Sequence, residues 1–370
     1  MMGQKALYLA GGGARGAYQA GALKAVGQIL QVKKLPFEVI SGVSVGCINA
    51  VVLAENADDF PNALEKLESI WSEIHCQQIY KASNYELSKS VLRNLSTLIM
   101  KQRQAGHLLD TSPLRQLIDE NIDFSRIAHN INEGDLQAFE VITACYESHQ
   151  TVSFYNHHNP DFLDWHYPRH SSQRTLLQTD HILASSALPL FFPTIAIDDL
   201  HYGDGSMGLV APLRGAIRFN VDKIMILGTR ELPEFKPTVP EPSKEISFSH
   251  VLGNMLSGLF LDNLDRDIEM VNRMNDISTL LSIWKKHRSP WRPIHTLHLR
   301  PSRNMTSIVE QHYTAMPAFL RYLLNVLGGR SKSGDLLSFL LFEKQFTREL
   351  LELGYQDTIA VAHQVETFFV

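Results

Sequence analysis

The chain has 370 residues, 44% of them hydrophobic, and its 34 lysines and arginines against 39 aspartates and glutamates give a formal net charge of −5. That length and apolar content allow a large buried core, which excludes a disordered protein and suggests one elaborated domain or two closely packed ones. The negative balance provides no general attraction for nucleic acid, and the three cysteines, Cys47, Cys76 and Cys145, lack the spacing of a disulfide framework or a zinc site.

Residues 5–10 read as a buried strand, and residues 14–30 as a helix whose small side chains permit close packing on a sheet. The stretch before the glycines has too short an apolar run for a signal-peptide core, and cleavage there would destroy the first turn. Residues 37–41 form a second expected strand, followed by a helix over 45–53. Strand, helix, strand, helix with short connections predicts a parallel sheet covered by helices.

Helical periodicity returns over 62–74, and the polar region 76–106 reads as an insertion or mobile cap. Asp110-Thr-Ser-Pro113 signals a helix start that continues to Ile118. Residues 139–145 and 151–155 are two further strands. The stretch 156–174, rich in His, Asn, Asp and Pro, reads as a surface loop. Residues 194–202 suggest a hairpin entering Gly203-Asp204-Gly205, residues 223–228 a buried strand, and the proline-rich run 235–242 a linker. The remainder is mostly helical, with a long amphipathic segment at 248–274 and one strand at 295–299. No stretch reaches about 18 uninterrupted apolar residues, so no transmembrane helix is expected.

Two turns carry the chemistry. Gly42-Val-Ser-Val-Gly46, on a strand-to-helix turn, has the pattern of a nucleophile elbow, in which Gly42 and Gly46 relieve crowding and Ser44 projects from a tight turn at the positive end of a helix. The alternative is an ordinary turn with Ser44 as a helix cap. The earlier turn, Gly11-Gly12-Gly13-Ala14-Arg15-Gly16, also matches a dinucleotide fingerprint. However, Ser41 and Gly42 stand where that fingerprint needs an acidic residue for the ribose, and no Gly-Lys-Ser/Thr follows. What remains is a cradle of amides that could hold an oxyanion beside Ser44. Arg15 either adds positive charge there or pins the turn. Asp204, flanked by glycines, is the carboxylate best placed to serve as a base, although an Asp-Gly pair is also an ordinary turn.

These residues, together with Ala184-Ser-Ser-Ala-Leu-Pro189 and Asp204-Gly205, resemble the patatin-like phospholipase family in motif order and spacing over residues 5–229. The resemblance implies an α/β fold related to cytosolic phospholipase A2, with a mainly parallel central sheet sandwiched by helices. The expected organisation is a catalytic domain over 1–234, with the mostly helical region 243–370, which carries no motif of the family, packed on it. In that family Ser44 matches the nucleophile and Asp204 the base of a dyad without histidine. Gly11, Gly12, Gly13, Arg15 and Gly16 match the oxyanion segment, and Ala184, Pro189 and Gly205 border the site. The family's aspartate is usually followed by Gly-Gly or Gly-Ala, where this chain has Gly205-Ser206.

The resemblance implies phospholipid or another acyl-ester lipid as substrate, presented at a membrane or micelle surface, and no metal or organic cofactor. The charge balance argues against a nucleic-acid partner, and the cysteine pattern and short N-terminal apolar run fit a cytoplasmic protein, any membrane contact being peripheral. Two rival readings remain. One is a Ser-His-Asp esterase drawing on His250, His295, His298 or His312, and the other a non-catalytic lipid-binding protein of the same fold.

Overall fold

Short apolar runs bounded by glycines and polar turns become the strands of one sheet in the computed structural model, which describes residues 3–81, 107–231, 248–280, 292–312, 316–318, 320–321 and 334–370. The expected linker at 235–242 and most of the expected insertion, from residue 82 to 106, lie outside the described residues. The strands are β1 (Lys5–Leu9), β2 (Val39–Val43), β3 (Ala138–Cys145), β4 (Gln150–His157), β5 (His166–Tyr167), β6 (His170–Arg174), β7 (Ile195–Ile197), β8 (Leu200–Asp204), β9 (Lys223–Leu227) and β10 (His295–Leu299). The helices of the first half are α1 (Gly16–Leu30), α2 (Val45–Glu55), α3 (Phe60–Glu73), α4 (Cys76–Ile79), α5 (Ser112–Asn121), α6 (Phe124–Glu133) and α7 (Thr179–Ser185). Those of the second half are α8 (Arg214–Arg218), α9 (Phe248–Leu280), α10 (Met305–Gln311), α11 (Gly334–Leu340), α12 (Lys344–Ala360) and α13 (Ala362–Phe369).

From one edge the strand order is β10, β9, β1, β2, β3, β4, β6, β5. The first five run parallel, β4 turns antiparallel to β3, and β6 follows parallel to β4. The hairpin of β7 and β8 attaches to β3 beyond the end of β2. Alternation along each strand feeds two cores. Leu7 and Leu9 meet Leu23 of α1, Val51 of α2, Trp71 of α3 and Phe346 of α12 on one face. Ala6 and Tyr8 meet Ala216 of α8 and Leu264 of α9 on the other. The chain is therefore an α/β sandwich with helices on both faces. The C-terminal part shares in it, because β10 extends the sheet and α12 lies along α1, where the Tyr355 hydroxyl bonds Gln28 Oε1 at 2.5 Å.

Two local readings differ from expectation, and the expected hairpin forms. The second strand begins two residues later than the apolar run suggests and continues to the residue before Ser44. The stretch 156–174 is not a plain surface loop, because it contains β5 and β6 and buries Trp165 and His170. Its polar side chains are paired internally: Ser153 Oγ lies 2.8 Å from His170 Nε2, and Arg174 donates to the carbonyls of His157, Asn159 and Pro160. The hairpin turns through Asp198 and Asp199, both at positive φ (47° and 65°), a two-residue reversal that short polar side chains tolerate without glycine. Among the described residues no helix is long and apolar enough to cross a membrane.

A carboxyl lies in the middle of the sheet. Glu140 on β3 is fully buried, its Oε2 accepts from the Ser41 hydroxyl, and its Oε1 has no partner. Burial pushes its pKa above the ordinary carboxylate value, while the Ser153 and Ser41 hydroxyls act in the opposite direction. A raised folded pKa means the folded protein holds this proton more tightly than the unfolded chain. The associated stability is therefore full below the ordinary glutamate pKa and is lost as pH rises through the raised value. Glu140→Gln is expected to exceed wild type in urea midpoint at neutral pH, with the advantage vanishing near about pH 4. Parallel midpoints across that range would refute the assignment.

Candidate active site

The site follows from how two strands share one edge of β3. Strand β2 accompanies β3 as far as Val43 opposite Ile142, and β8 arrives from the opposite direction, ending with Asp204 opposite Thr143. Successive β3 residues therefore meet the chain ends that carry Ser44 and Asp204. Ser44 itself sits at φ 55°, ψ −129° and makes no cap hydrogen bond, so it does not serve as the helix cap that the sequence left open. Such a conformation costs on the order of 1–3 kcal/mol for an L-residue and persists only when the surroundings hold it. The turn is tight enough that a Cβ on Gly46 would lie 2.1 Å from the Leu9 carbonyl oxygen, while Gly42 abuts the backbone of Gly46 and Cys47.

What holds the elbow is a run of small residues at the end of α7 and just beyond it. The Ser44 N–H donates to Ser185 Oγ at 2.9 Å, and Ser185 Oγ donates in turn to the Ile142 carbonyl at 2.5 Å. Ser186 Oγ donates to the Ser44 carbonyl at 3.2 Å. The same run accepts from the end of β8: Asp204 N–H reaches the Ala187 carbonyl at 3.1 Å, and Gly205 N–H reaches the Ser185 carbonyl at 3.3 Å. Ala184 is buried in α7 and Pro189 is half-buried in the following turn, so the bonding falls to the serines between these two flagged positions. Two adjacent hydroxyls within an apolar ILASSALP run were the signal available for them.

Asp204 has no solvent exposure. Its Oδ1 accepts the Ser206 N–H at 2.9 Å, whereas Oδ2 has no aligned hydrogen-bond partner. Burial pushes the carboxyl pKa up to about 6, tempered by the nearby Ser44 hydroxyl and by Ser206. A carboxylate in that range, with an acceptor oxygen to spare beside a serine, suits a general base.

On the other side of Ser44 lies the glycine turn. Gly11 packs so closely that a Cβ there would be 3.2 Å from Ser44 Cβ and 2.9 Å from Ser206 Oγ, and the Gly11 carbonyl accepts from the Thr229 hydroxyl. The N–H groups of Gly12 and Gly13 donate to no protein atom among the described residues and border the same cleft as Ser44. Arg15 is engaged elsewhere. Its guanidinium is buried, donating to Ser338 Oγ at 2.9 and 2.6 Å and to the Thr229 carbonyl at 3.5 Å, and lying 4.5 Å from the Phe339 ring centroid. Of its two readings, these contacts fit the pin. Gly16 sits against Val45 and Trp71, which brings α1 close to the elbow.

The cleft is narrow, with an interior volume of about 30 Å³ opening to solvent. Beyond Ser44, Ser186 and the glycines its lining is apolar, with Ile48, Leu188 and Phe192 among the walls. None of the histidines considered as bases approaches Ser44 among the described side chains. His298 is half-buried beside Arg300 and Asp265 with its pKa lowered to about 4 by desolvation, His312 pairs with Glu349 at 2.7 Å, and His295 is exposed on β10. The His250 side chain lies outside the described residues.

A family model described as patatin-like phospholipase matches residues 7–217, more than half of the chain. No curated protein matches it. Among solved structures, VipD from Legionella pneumophila is similar at 9% identity and TM-score 0.38, with 98% of this chain and 67% of that one covered. Human GIVD cytosolic phospholipase A2 is similar at 12% identity and TM-score 0.45, covering 100% of this chain and 60% of that one. The chain therefore spans about two thirds or less of the length of these proteins.

Removing the Ser185 hydroxyl leaves the Ser44 amide buried and unpaired, a loss of about 1–3 kcal/mol. Ser185→Ala is expected to lower the urea unfolding free energy by that amount and to slow fluorophosphonate labelling of Ser44 by about tenfold or more. Unchanged stability and labelling would show that the run does not hold the elbow.

Proposed function

The chain belongs to the patatin-like phospholipase family, a class of lipid-hydrolysing serine hydrolases, and from that premise we propose that it cleaves fatty-acyl esters with Ser44 as nucleophile and Asp204 as its base. The observation that carries this reading is the meeting of the Ser44 turn and Asp204 at adjacent β3 positions. The strained Ser44 backbone and the raised Asp204 pKa support it.

In this reading ionised Asp204 accepts the Ser44 hydroxyl proton as the oxygen attacks the ester carbonyl. The amides of Gly12 and Gly13 hold the oxyanion of the tetrahedral intermediate. Asp204 then returns the proton to the departing alcohol, leaving an acyl-enzyme. Water that gives its proton to Asp204 attacks that ester and releases the fatty acid, and Ser44 recovers its proton. Each step uses only groups of this chain and water. The substrate is phospholipid or another acyl-ester lipid met at a membrane or micelle surface in the cytoplasm. Residues 1–234 act as the catalytic domain, with 243–370 packed on it. The absence of a described histidine near Ser44 favours this dyad over a Ser-His-Asp arrangement.

Because only the ionised base works, activity is expected to fall about tenfold per pH unit below about 6 and to level off above it. Fatty-acid release from mixed micelles, with chelator present, is expected to drop at least about a hundredfold in Ser44→Ala and in Asp204→Asn. Wild-type turnover by a folded Asp204→Asn protein, or a pH profile flat through about pH 6, would defeat the assignment.

A further inference from the structure

The family match ends at residue 217, yet part of the cleft around Ser44 is built by a much later segment. Phe339, Leu340 and Phe342, at the end of α11 and just beyond it, line the same cleft as Ser44, Gly12 and Gly13. All three side chains are buried at 5% exposure or less, so this is a packed wall and not a surface flap.

The segment is fastened from two sides. Toward the glycine turn, Ser338 Oγ accepts both donors of the Arg15 fork, the Phe339 ring lies under the guanidinium, and the Phe339 carbonyl is so near Gly13 that a Cβ there would lie 2.1 Å from its oxygen. Gly13 also has φ 56°, so both sterics and backbone conformation call for glycine at this contact. Toward α3 and α4, the Tyr80 hydroxyl donates to the Leu340 carbonyl at 2.6 Å. The Phe342 ring stacks on Trp71 and meets Tyr80 edge-on, each with centroids 6.3 Å apart. One residue further on, Glu343 bonds His75 at 3.2 Å.

A wall held this way has a consequence for the substrate. The lining carries no charged side chain, so the group it receives is hydrocarbon and not a polar head. The Phe342 ring cannot swing aside without giving up its contacts with Trp71 and Tyr80. We propose that residues 338–342 form one wall of an acyl-chain site, with Phe342 limiting the chain length it accepts and Ser338 positioning the oxyanion turn through Arg15. This rests on the acyl-hydrolase reading above.

The test compares kcat and KM for p-nitrophenyl butyrate and p-nitrophenyl palmitate in the full-length protein and its Ser44→Ala, Phe342→Ala, Phe342→Leu and Ser338→Ala variants. The ratio of kcat/KM for the two esters is independent of the folded fraction, so partial misfolding does not obscure it. Space for each additional methylene is worth roughly fourfold in kcat/KM. Phe342→Ala is expected to raise the palmitate-to-butyrate ratio at least about tenfold, and the milder Phe342→Leu is expected to raise it less. Ser338→Ala is expected to lower kcat about tenfold for both esters, with KM and the ratio unchanged, as loss of the acceptor shared by two Arg15 donors would do if it acts on the oxyanion turn. Hydrolysis that depends on Ser44 but keeps the wild-type ratio in both Phe342 variants would overturn the chain-length assignment. A Ser338→Ala protein with wild-type kcat would overturn the positioning role. No Ser44-dependent hydrolysis by wild type would overturn this inference together with the reading beneath it.

Discussion

One edge of β3 is shared by two strands that cannot both occupy it, and the rest of the site depends on where one gives way to the other. Strand β2 holds the edge up to Ile142, and β8 takes over at Thr143. Side chains alternate across a strand, so slipping either partner by one residue would turn its set of side chains to the opposite face. The meeting of Ser44 with Asp204 is therefore a matter of register, and the main chain fixes it before any side chain makes contact.

Holding that register is costly in itself. Ser44 has an unfavourable backbone, and Asp204 and Glu140 are fully buried with raised pKa values. Each works against folding at neutral pH. The two cores offset this, since each fully buried large apolar side chain contributes about 1.5–3 kcal/mol. Ser185 and Ser186 then convert general stability into local order by bonding both sides of the Ser44 peptide unit, while the backbone of Ser185 and Ala187 receives the end of β8.

The glycine turn is held by different means. Its outer side rests on α11 through Arg15 and Ser338, and its inner side on Ser44. A buried guanidinium needs its donors satisfied, and a hydroxyl, a carbonyl and an aromatic face do so here. The C-terminal part thus contributes a strand to the sheet, a helix over α1 and a wall to the cleft. It shares a core with residues 7–217.

The features legible in the sequence are those that neighbouring residues decide. Buried strands such as β1, β3 and β9 appear as short apolar runs, because a strand covered on both faces has no polar side to display. The two glycine turns were visible because crowding within a few residues excludes other side chains. The expected surface loop at 156–174 became β5 and β6, because its His, Ser and Arg side chains find partners that composition does not reveal. Only the tertiary structure could pair Ser44 with Ser185, 141 residues away, or Arg15 with Ser338, 323 residues away. Serine is small, polar and common in turns, so nothing in its local pattern distinguishes a buried clamp from a solvated turn. Periodicity and glycine placement were set by short-range sterics and could be read from the chain, whereas the clamp, the Arg15 anchor and the cleft wall exist only where the fold brings distant segments into contact.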